Sequence, residues 1–171
     1  MDFSLDKSFQ ILSGTPLILQ TWLAHLDGGW LENNEGENTW SALDVVRHLV
    51  LAEKTNWMVR TKSILSDSAN KAFVPFVRME NDESVTITAA LAEFAKLRAA
   101  NINELKSLRI SADDLEKRGI HPEFGNVTLS QLLSTWTVHD LGHIGQISRV
   151  MARQYKSAVG PWAAYLSILN K

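Results

Sequence analysis

TLSQLLSTWTVHDLGHIGQISRVMARQY, residues 128–155, is the stretch of sequence that decides the fold. Apolar or ring-bearing side chains recur in it at steps of three and four residues, at Leu132, Trp136, His139, His143, Ile147 and Val150. At about 100° per residue these six side chains fall within an arc of roughly 80°. Thr128, with Gln131 three residues later, forms a capping box at the start. The pattern predicts a long helix, running to about Tyr155, whose core-facing stripe carries two buried histidines.

The same helical spacing recurs along the rest of the chain, whereas alternating strand-like runs are short and rare. The prediction is therefore an all-α protein, a four-helix bundle. The first helix has two parts, residues 5–12 and a body that Thr15 opens as N-cap and that ends at about Leu26. The second helix starts at the capping box of Ser41 and runs to about Leu65.

A connector ending at residues 80–82 leads to the third helix. Its core stripe comprises Ile87, Leu91, Phe94, Leu97, Leu105 and Leu108. Lys96 and Arg98 are predicted to face solvent. Residues 110–127 contain glycines and a proline and predict an ordered loop with one helical turn before the last long helix. Gly160 opens a short C-terminal helix, and no linker or repeat divides the chain, so residues 1–171 form one predicted domain.

Composition excludes several classes of function. The chain has 171 residues, a formal net charge of −2 and no cysteine. That charge argues against nucleic-acid binding, which uses basic surfaces. Without cysteine, any metal must be held by histidine or carboxylate, and any thiol must come from outside. No apolar run approaches the length of a membrane span, and the N-terminus lacks the pattern of a signal peptide, so we expect a cytoplasmic protein.

The histidines are the strongest chemical signal. His139 and His143 are four residues apart on one helix face, the spacing that lets two imidazoles share a metal ion. His48 lies in an apolar stretch of the second helix and is also predicted to be buried. Unpaired, each buried imidazole would cost about 1–3 kcal/mol. A three-histidine site with an open position is typical of catalytic metal centres; hydrogen bonding of each histidine within the core is the alternative.

Other metal sites do not match. The chain has no H-E-x-x-H motif and no E-x-x-H pair, so neither a zincin peptidase nor a ferritin-like di-iron centre is indicated. Gly142 and Gly145 each cost about 1 kcal/mol within a helix. We therefore expect a neighbouring helix, or a ligand beside His143, to approach them closely. The second helix is apolar on nearly every side, which is compatible with a homodimer.

Three sequence segments, residues 40–60, 121–155 and 159–166, resemble the DinB/YfiT-like superfamily of metal-binding four-helix bundles. The specific motifs are VVRHLVLAE at residues 45–53 and HDLGH at residues 139–143. The resemblance covers about residues 10–170. It implies that one divalent ion, zinc or nickel, is held by His48, His139 and His143.

The resemblance also implies a reaction. Characterised relatives include thiol-dependent transferases, so the leading hypothesis is a metal-dependent thiol S-transferase that binds a low-molecular-weight thiol and an electrophile. We expect the electrophile to lie against Trp136 and the loop around His121. Glu53 and Arg149 are further pocket candidates, although Glu53 is about 140° round its helix from His48 and is not expected to be a ligand.

Three alternatives stay open at this stage. The same ion could activate water, which would make the protein a metal-dependent hydrolase. The chain could instead be a non-catalytic metal- or ligand-binding bundle related to stress. In the third alternative the histidines are structural and the bundle serves protein interactions.

Overall fold

The computed structural model describes residues 2–76 and 84–170. The helices are α1 (Leu5–Leu23), α2 (Gly28–Glu32), α3 (Ala42–Thr55), α4 (Trp57–Leu65), α5 (Ile87–Ser107), α6 (Ala112–Glu116) and α7 (Leu129–Gln154). A two-stranded hairpin, β1 (Arg118–His121) and β2 (Gly125–Thr128), precedes α7, and two 3₁₀ helices (Gly160–Tyr165 and Ser167–Leu169) end the described chain. No described helix is long and apolar enough to cross a membrane.

The predicted four-helix bundle is confirmed. Helix α1 packs against α5 and α7, and α3 packs against the same two helices, so the four long helices enclose one interior. The apolar stripe predicted for the last helix supplies that interior, since Leu132, Trp136, Ile147 and Val150 are all buried. The capping box at Thr128 is also present, with the hydroxyl of Thr128 accepting from the backbone of Gln131.

The first helix differs from the prediction because it is continuous through Pro16. Ser4, not Thr15, is its N-cap, and the Thr15 hydroxyl instead donates to the carbonyl of Ile11 one turn earlier. A proline within a helix removes the N–H that would bond the carbonyl four residues before it. That carbonyl belongs to Leu12, and it accepts a hydrogen bond of 2.9 Å from Arg98 Nη1 instead. The replacement donor explains why the helix tolerates Pro16.

The second predicted helix is divided at Asn56 into α3 and α4. Asn56 has φ −112° and ψ −72°, away from ideal helical values, while its N–H still bonds the carbonyl of Ala52. The first helix also ends before Leu26, and the following loop contains α2, which Asp27 caps. The connector end at residues 80–82 lies outside the described residues.

The prediction of an ordered loop before α7 is only partly right. Its helical turn is present as α6, but a β-hairpin follows in which Arg118 pairs with Thr128 and His121 with Gly125. Gly119 allows the hairpin to pack closely on the bundle, because a Cβ there would come within 2.5 Å of the Phe73 ring. The predicted short C-terminal helix is present as two 3₁₀ helices.

The expected close approach of a neighbouring helix to Gly142 and Gly145 is not found among the described residues. Both glycines lie on the exposed side of α7. A Cβ added at either position would meet nothing within 4 Å among the described residues. Packing within the described residues therefore does not explain why glycine occupies these two helix positions.

Arg98 was predicted to face solvent, but only 1% of it is exposed. Its Nη2 donates to Glu53 Oε1 at 2.8 Å on α3 and to Asp140 Oδ1 at 2.9 Å on α7. Its Nη1 donates to Asp140 Oδ2 and to the Leu12 carbonyl on α1. Glu53 also accepts from Trp136 Nε1 at 3.0 Å and from Asn101. Because buried carboxylates need such partners, Arg98 lies in the core despite its charge.

We predict that replacing Arg98 by Met lowers the free energy of unfolding by about 3–5 kcal/mol, because Glu53 and Asp140 would be left buried without their cation. Urea denaturation measures the change. Lys96→Met, at an exposed position of the same helix, is the matched control and should stay within about 0.5 kcal/mol of the wild type. Equal effects of the two substitutions would show that the buried ion pairs do not stabilise the bundle.

Candidate metal centre

The three predicted histidines meet between α3 and α7. His48 lies on α3, and His139 and His143 lie one turn apart on α7. His139 Nε2 is 3.0 Å from His48 Nε2 and 3.0 Å from His143 Nε2. Each histidine offers one ring nitrogen within 4.8 Å of the other two. The packing of α3 against α7 brings His48 to the pair, which sequence spacing alone could not show.

The three histidines, predicted to be buried, are half-buried. The reason is that the group borders two cavities, although aromatic rings also pack against His48 and His139. A half-buried position suits a metal ligand better than a core residue, because a catalytic centre needs a position that other molecules can reach.

The protonation of His143 is defined by its neighbour. Its Nδ1 lies 2.8 Å from Oε1 of Gln146, three residues later on α7. An amide oxygen only accepts hydrogen bonds, so Nδ1 carries the proton and Nε2 presents a lone pair to the other histidines. Metal-binding histidines commonly have such a partner on the second nitrogen, which fixes the ring orientation.

His139 is held in its neutral form. Burial, followed by the neighbouring His143, His48 and Arg98, lowers its pKa from 6.5 to about 3. Its Nδ1 is buried and has no hydrogen-bond partner within the described part of the chain. Its Nε2 faces two other imidazole nitrogens, and one proton there could not serve both contacts.

A divalent ion fits this donor set. Neutral imidazole nitrogen is a preferred ligand of zinc and of nickel. With zinc–nitrogen bonds of 2.0–2.1 Å, tetrahedral ligand atoms lie about 3.4 Å apart, close to the two separations of 3.0 Å found here. One ion bound by all three nitrogens would accept the lone pair of His143. It would also explain why His139 Nε2 lies so close to the ring nitrogens of both other histidines.

Two cavities of contrasting polarity adjoin the histidines. The apolar cavity has a volume of about 430 Å³, and its wall includes Asn56, Trp57, Arg60, Phe73, Phe76, His121, Glu123 and Phe124. The polar cavity has a volume of about 460 Å³ and includes Glu35, Asn38, Thr39, Trp40, Gln146 and Arg149. His48, His139 and Phe76 line both cavities. The three-histidine group can therefore be approached from two directions.

Two of the four predicted pocket residues line these cavities. His121 lines the apolar cavity, and its Nδ1 also accepts hydrogen bonds from the backbone of Glu123 and Phe124 in the hairpin turn. Burial, followed by the charge of Arg60, lowers the pKa of His121. Arg149 lines the polar cavity and forms an ion pair of 2.9 Å with Glu35. That hydrogen bond is the main cause of the lowered pKa of Glu35.

Trp136 and Glu53, the other two predicted pocket residues, lie in the core and are not among the residues that line these two cavities. Trp136 is fully buried and stacks on Trp57, whose ring in turn meets the edge of His139 at 5.1 Å. Glu53 is buried, and its carboxylate accepts hydrogen bonds from Arg98 and Trp136. Both residues lie behind the cavity wall and support it.

Sequence reasoning missed Gln146 and Trp40. The step of three residues from His143 to Gln146 places both on one helix face and could have identified this partner. Trp40 precedes α3, and its ring lies 4.7 Å from that of His48 and 6.1 Å from that of His143. No spacing rule connects a residue before one helix with a histidine on another.

The comparisons with known proteins agree with this architecture. The family model described as DinB superfamily matches residues 13–147. A structure of YfiT from Bacillus subtilis, described as "a probable metal-dependent hydrolase with an unusual four-helix bundle topology", has a TM-score of 0.74 and 18% identity, covering 87% of this chain and 86% of its own. A comparison with curated proteins finds no match.

Two further solved structures share the fold. The four-helix bundle protein TT2238 has a TM-score of 0.60 and 19% identity, with coverage of 85% of this chain and 98% of its own. A DinB-like protein from Bacillus cereus ATCC 10987 has a TM-score of 0.60 and 20% identity, with coverage of 90% and 95%. At such identities the likeness concerns the fold.

We predict that the metal-free protein loses stability as the pH falls from about 6.5 towards 3. The lowered pKa of His139 means that the unfolded chain takes up a proton in this range that the folded chain resists, so protonation favours unfolding. Urea denaturation in a chelator at several pH values measures the effect. His139→Gln should flatten the dependence, whereas His25→Gln, at an exposed position, should leave it unchanged. An identical pH dependence in the wild type and His139→Gln would contradict the prediction.

Proposed function

The chain belongs to the DinB superfamily, and on that premise we propose that it is a divalent-metal-dependent transferase that joins a low-molecular-weight thiol to an electrophile. One observation carries the proposal. The three-histidine group adjoins a polar and an apolar cavity of similar volume, about 460 and 430 Å³. Two separate spaces beside one candidate centre suit a reaction between two molecules better than one between a single substrate and water.

In this proposal His48, His139 and His143 hold one zinc or nickel ion. When bound, such an ion lowers the pKa of a coordinated thiol or water. The protein contributes the orientation of the ligands, through Gln146 on His143, and their neutral form, through the burial of His139. Both contributions favour metal binding at neutral pH, because ligation requires unprotonated imidazole.

The thiol would occupy the polar cavity. Its wall offers the hydroxyl of Thr39, the amides of Asn38 and Gln146, and the charges of Glu35 and Arg149. These groups suit the polar body of a cellular thiol. The sulfur must come from such a molecule, since the chain contains no cysteine. This chemistry fits a cytoplasmic protein, because thiols are kept reduced in the cytosol.

The electrophile would occupy the apolar cavity, beside His48 and His139. In the transfer the thiol loses its proton to solvent and its sulfur forms a bond to the electrophilic carbon. The leaving group departs with the electron pair of the bond that breaks. The aromatic wall would exclude water from the electrophile and so limit its hydrolysis.

A metal-dependent hydrolase is the second candidate. It is favoured by the description of YfiT, whose structure has the same fold. In that case water replaces the thiol, and the polar cavity would hold part of the substrate or its product. The histidine ligands would be the same, so metal binding alone does not separate the two candidates.

We predict that protein purified without an affinity tag contains about one divalent ion per chain, and that His143→Ala loses most of it. Removing one of three nitrogen ligands should weaken binding strongly while the helix keeps its fold, because Ala favours helix. Elemental analysis and circular dichroism measure metal content and helicity. His25→Ala is the control for loss of an exposed histidine. Full metal retention in His143→Ala would exclude the proposed ligand set.

Turnover distinguishes the candidate functions. The metal-loaded protein is incubated with 1-chloro-2,4-dinitrobenzene and either cysteine or coenzyme A, and separately with 4-nitrophenyl acetate without thiol. The proposal predicts product formation that requires both thiol and metal and that disappears in His143→Ala. Thiol-independent ester hydrolysis would support the hydrolase. Stoichiometric thiol binding without turnover across a wider panel would support a non-catalytic binding bundle.

A further inference from the structure

Arg60 lines the apolar cavity. Of the four buried charged side chains among the described residues, it is the one without an ion-pair partner. Only 9% of Arg60 is exposed. Its guanidinium makes one long hydrogen bond, 3.4 Å from Nη2 to the carbonyl of Val74, and lies 5.0 Å over the ring of Phe73. Within residues 2–76 and 84–170, no carboxylate lies within ion-pair distance of it.

The other buried arginine shows what such a group requires. Arg98 has two carboxylates, Glu53 and Asp140, and a backbone carbonyl as partners. Arg60 has no carboxylate partner among the described residues, and its guanidinium borders the cavity instead. Burial lowers its pKa, but a guanidinium stays protonated in proteins. A buried cation without a counter-ion is costly unless another molecule supplies the negative charge.

The surroundings of Arg60 define the rest of that molecule. Aromatic rings of Trp57, Phe73, Phe76 and Phe124 line the cavity. Of the other ionisable groups on the wall, His48 and His139 belong to the candidate metal centre. His121 accepts hydrogen bonds from the backbone of the hairpin turn. Glu123 lies in the exposed hairpin turn. The enclosed part of the cavity therefore combines an apolar surface with one fixed positive charge.

We infer that the apolar cavity binds an electrophile with an apolar, ring-sized body and one carboxylate, and that Arg60 pairs with this carboxylate. The inference rests on the proposed function for the reacting end of the molecule, which would point towards His48 and His139. A single guanidinium matches a carboxylate in both charge and bidentate geometry. A phosphate dianion would retain an unpaired charge in the same apolar surroundings. Arg60 thus fixes which end of the substrate faces the histidines.

The test compares two probes of one shape, 3-phenylpropionate and its neutral amide, 3-phenylpropionamide. Calorimetry on the metal-loaded protein measures both affinities. We expect the acid to bind roughly ten times more tightly than the amide, because a charge-assisted hydrogen bond replaces a neutral one. In Arg60→Gln this ratio should fall to about one, with the affinity for the amide little changed. Lys96→Gln removes an exposed positive charge elsewhere and should keep the full ratio.

Three results would overturn the inference. Equal affinity of acid and amide for the wild type would mean that the cavity does not select an anion. A preference for the acid that survives in Arg60→Gln would place the carboxylate at the histidines instead. Tighter binding of 2-phenylethylphosphonate than of 3-phenylpropionate would exchange the carboxylate for a phosphonate. The metal content of Arg60→Gln is measured alongside, so that failure of the proposed metal centre is recognised separately from failure of anion selection.

Discussion

The guanidinium of Arg98 is the contact on which the rest of the structure depends. From its position on α5 it reaches Leu12 on α1, Glu53 on α3 and Asp140 on α7, so one side chain bonds to all three of the other long helices. The positive charge of Arg98 neutralises the two carboxylates, and its N–H groups also supply the hydrogen bond that the buried carbonyl needs. The carbonyl of Leu12 is free to accept this bond because Pro16 supplies no N–H to it.

This ionic contact lies directly behind the candidate metal centre. Glu53 follows His48 on α3, and Asp140 is adjacent to His139 on α7. By fixing both carboxylates, Arg98 also fixes the separation of the two helices that supply the histidines. Glu53 accepts from Trp136, and Trp136 stacks on Trp57 at the wall of the apolar cavity. The core thus provides a rigid support for the histidines, while their other side stays open to ligands.

Helical periodicity was sufficient to predict the bundle, because the apolar stripe of α7 and its cap at Thr128 are local features. The prediction that His48 joins the α7 histidines came from the family resemblance, because the spacing of residues within one helix does not show which helices pack together. Arg98 was misplaced because its two counter-ions lie 45 and 42 residues away in the sequence. The hairpin around Gly119 was missed because glycine and proline interrupt its alternation. For His48 and Arg98 the missing information was a contact between residues far apart in the sequence.

The central claim is that His48, His139 and His143 supply three nitrogen ligands to one divalent ion. X-ray absorption spectroscopy of the purified, metal-loaded protein tests it most directly. For zinc, the account predicts three imidazole nitrogens at about 2.0–2.1 Å together with a ligand that an added thiol can replace. In His143→Ala, reloaded with zinc in excess because the variant binds the ion weakly, the imidazole count should fall by one. A ligand shell dominated by carboxylate oxygen, or an unchanged imidazole count in that variant, would contradict the account.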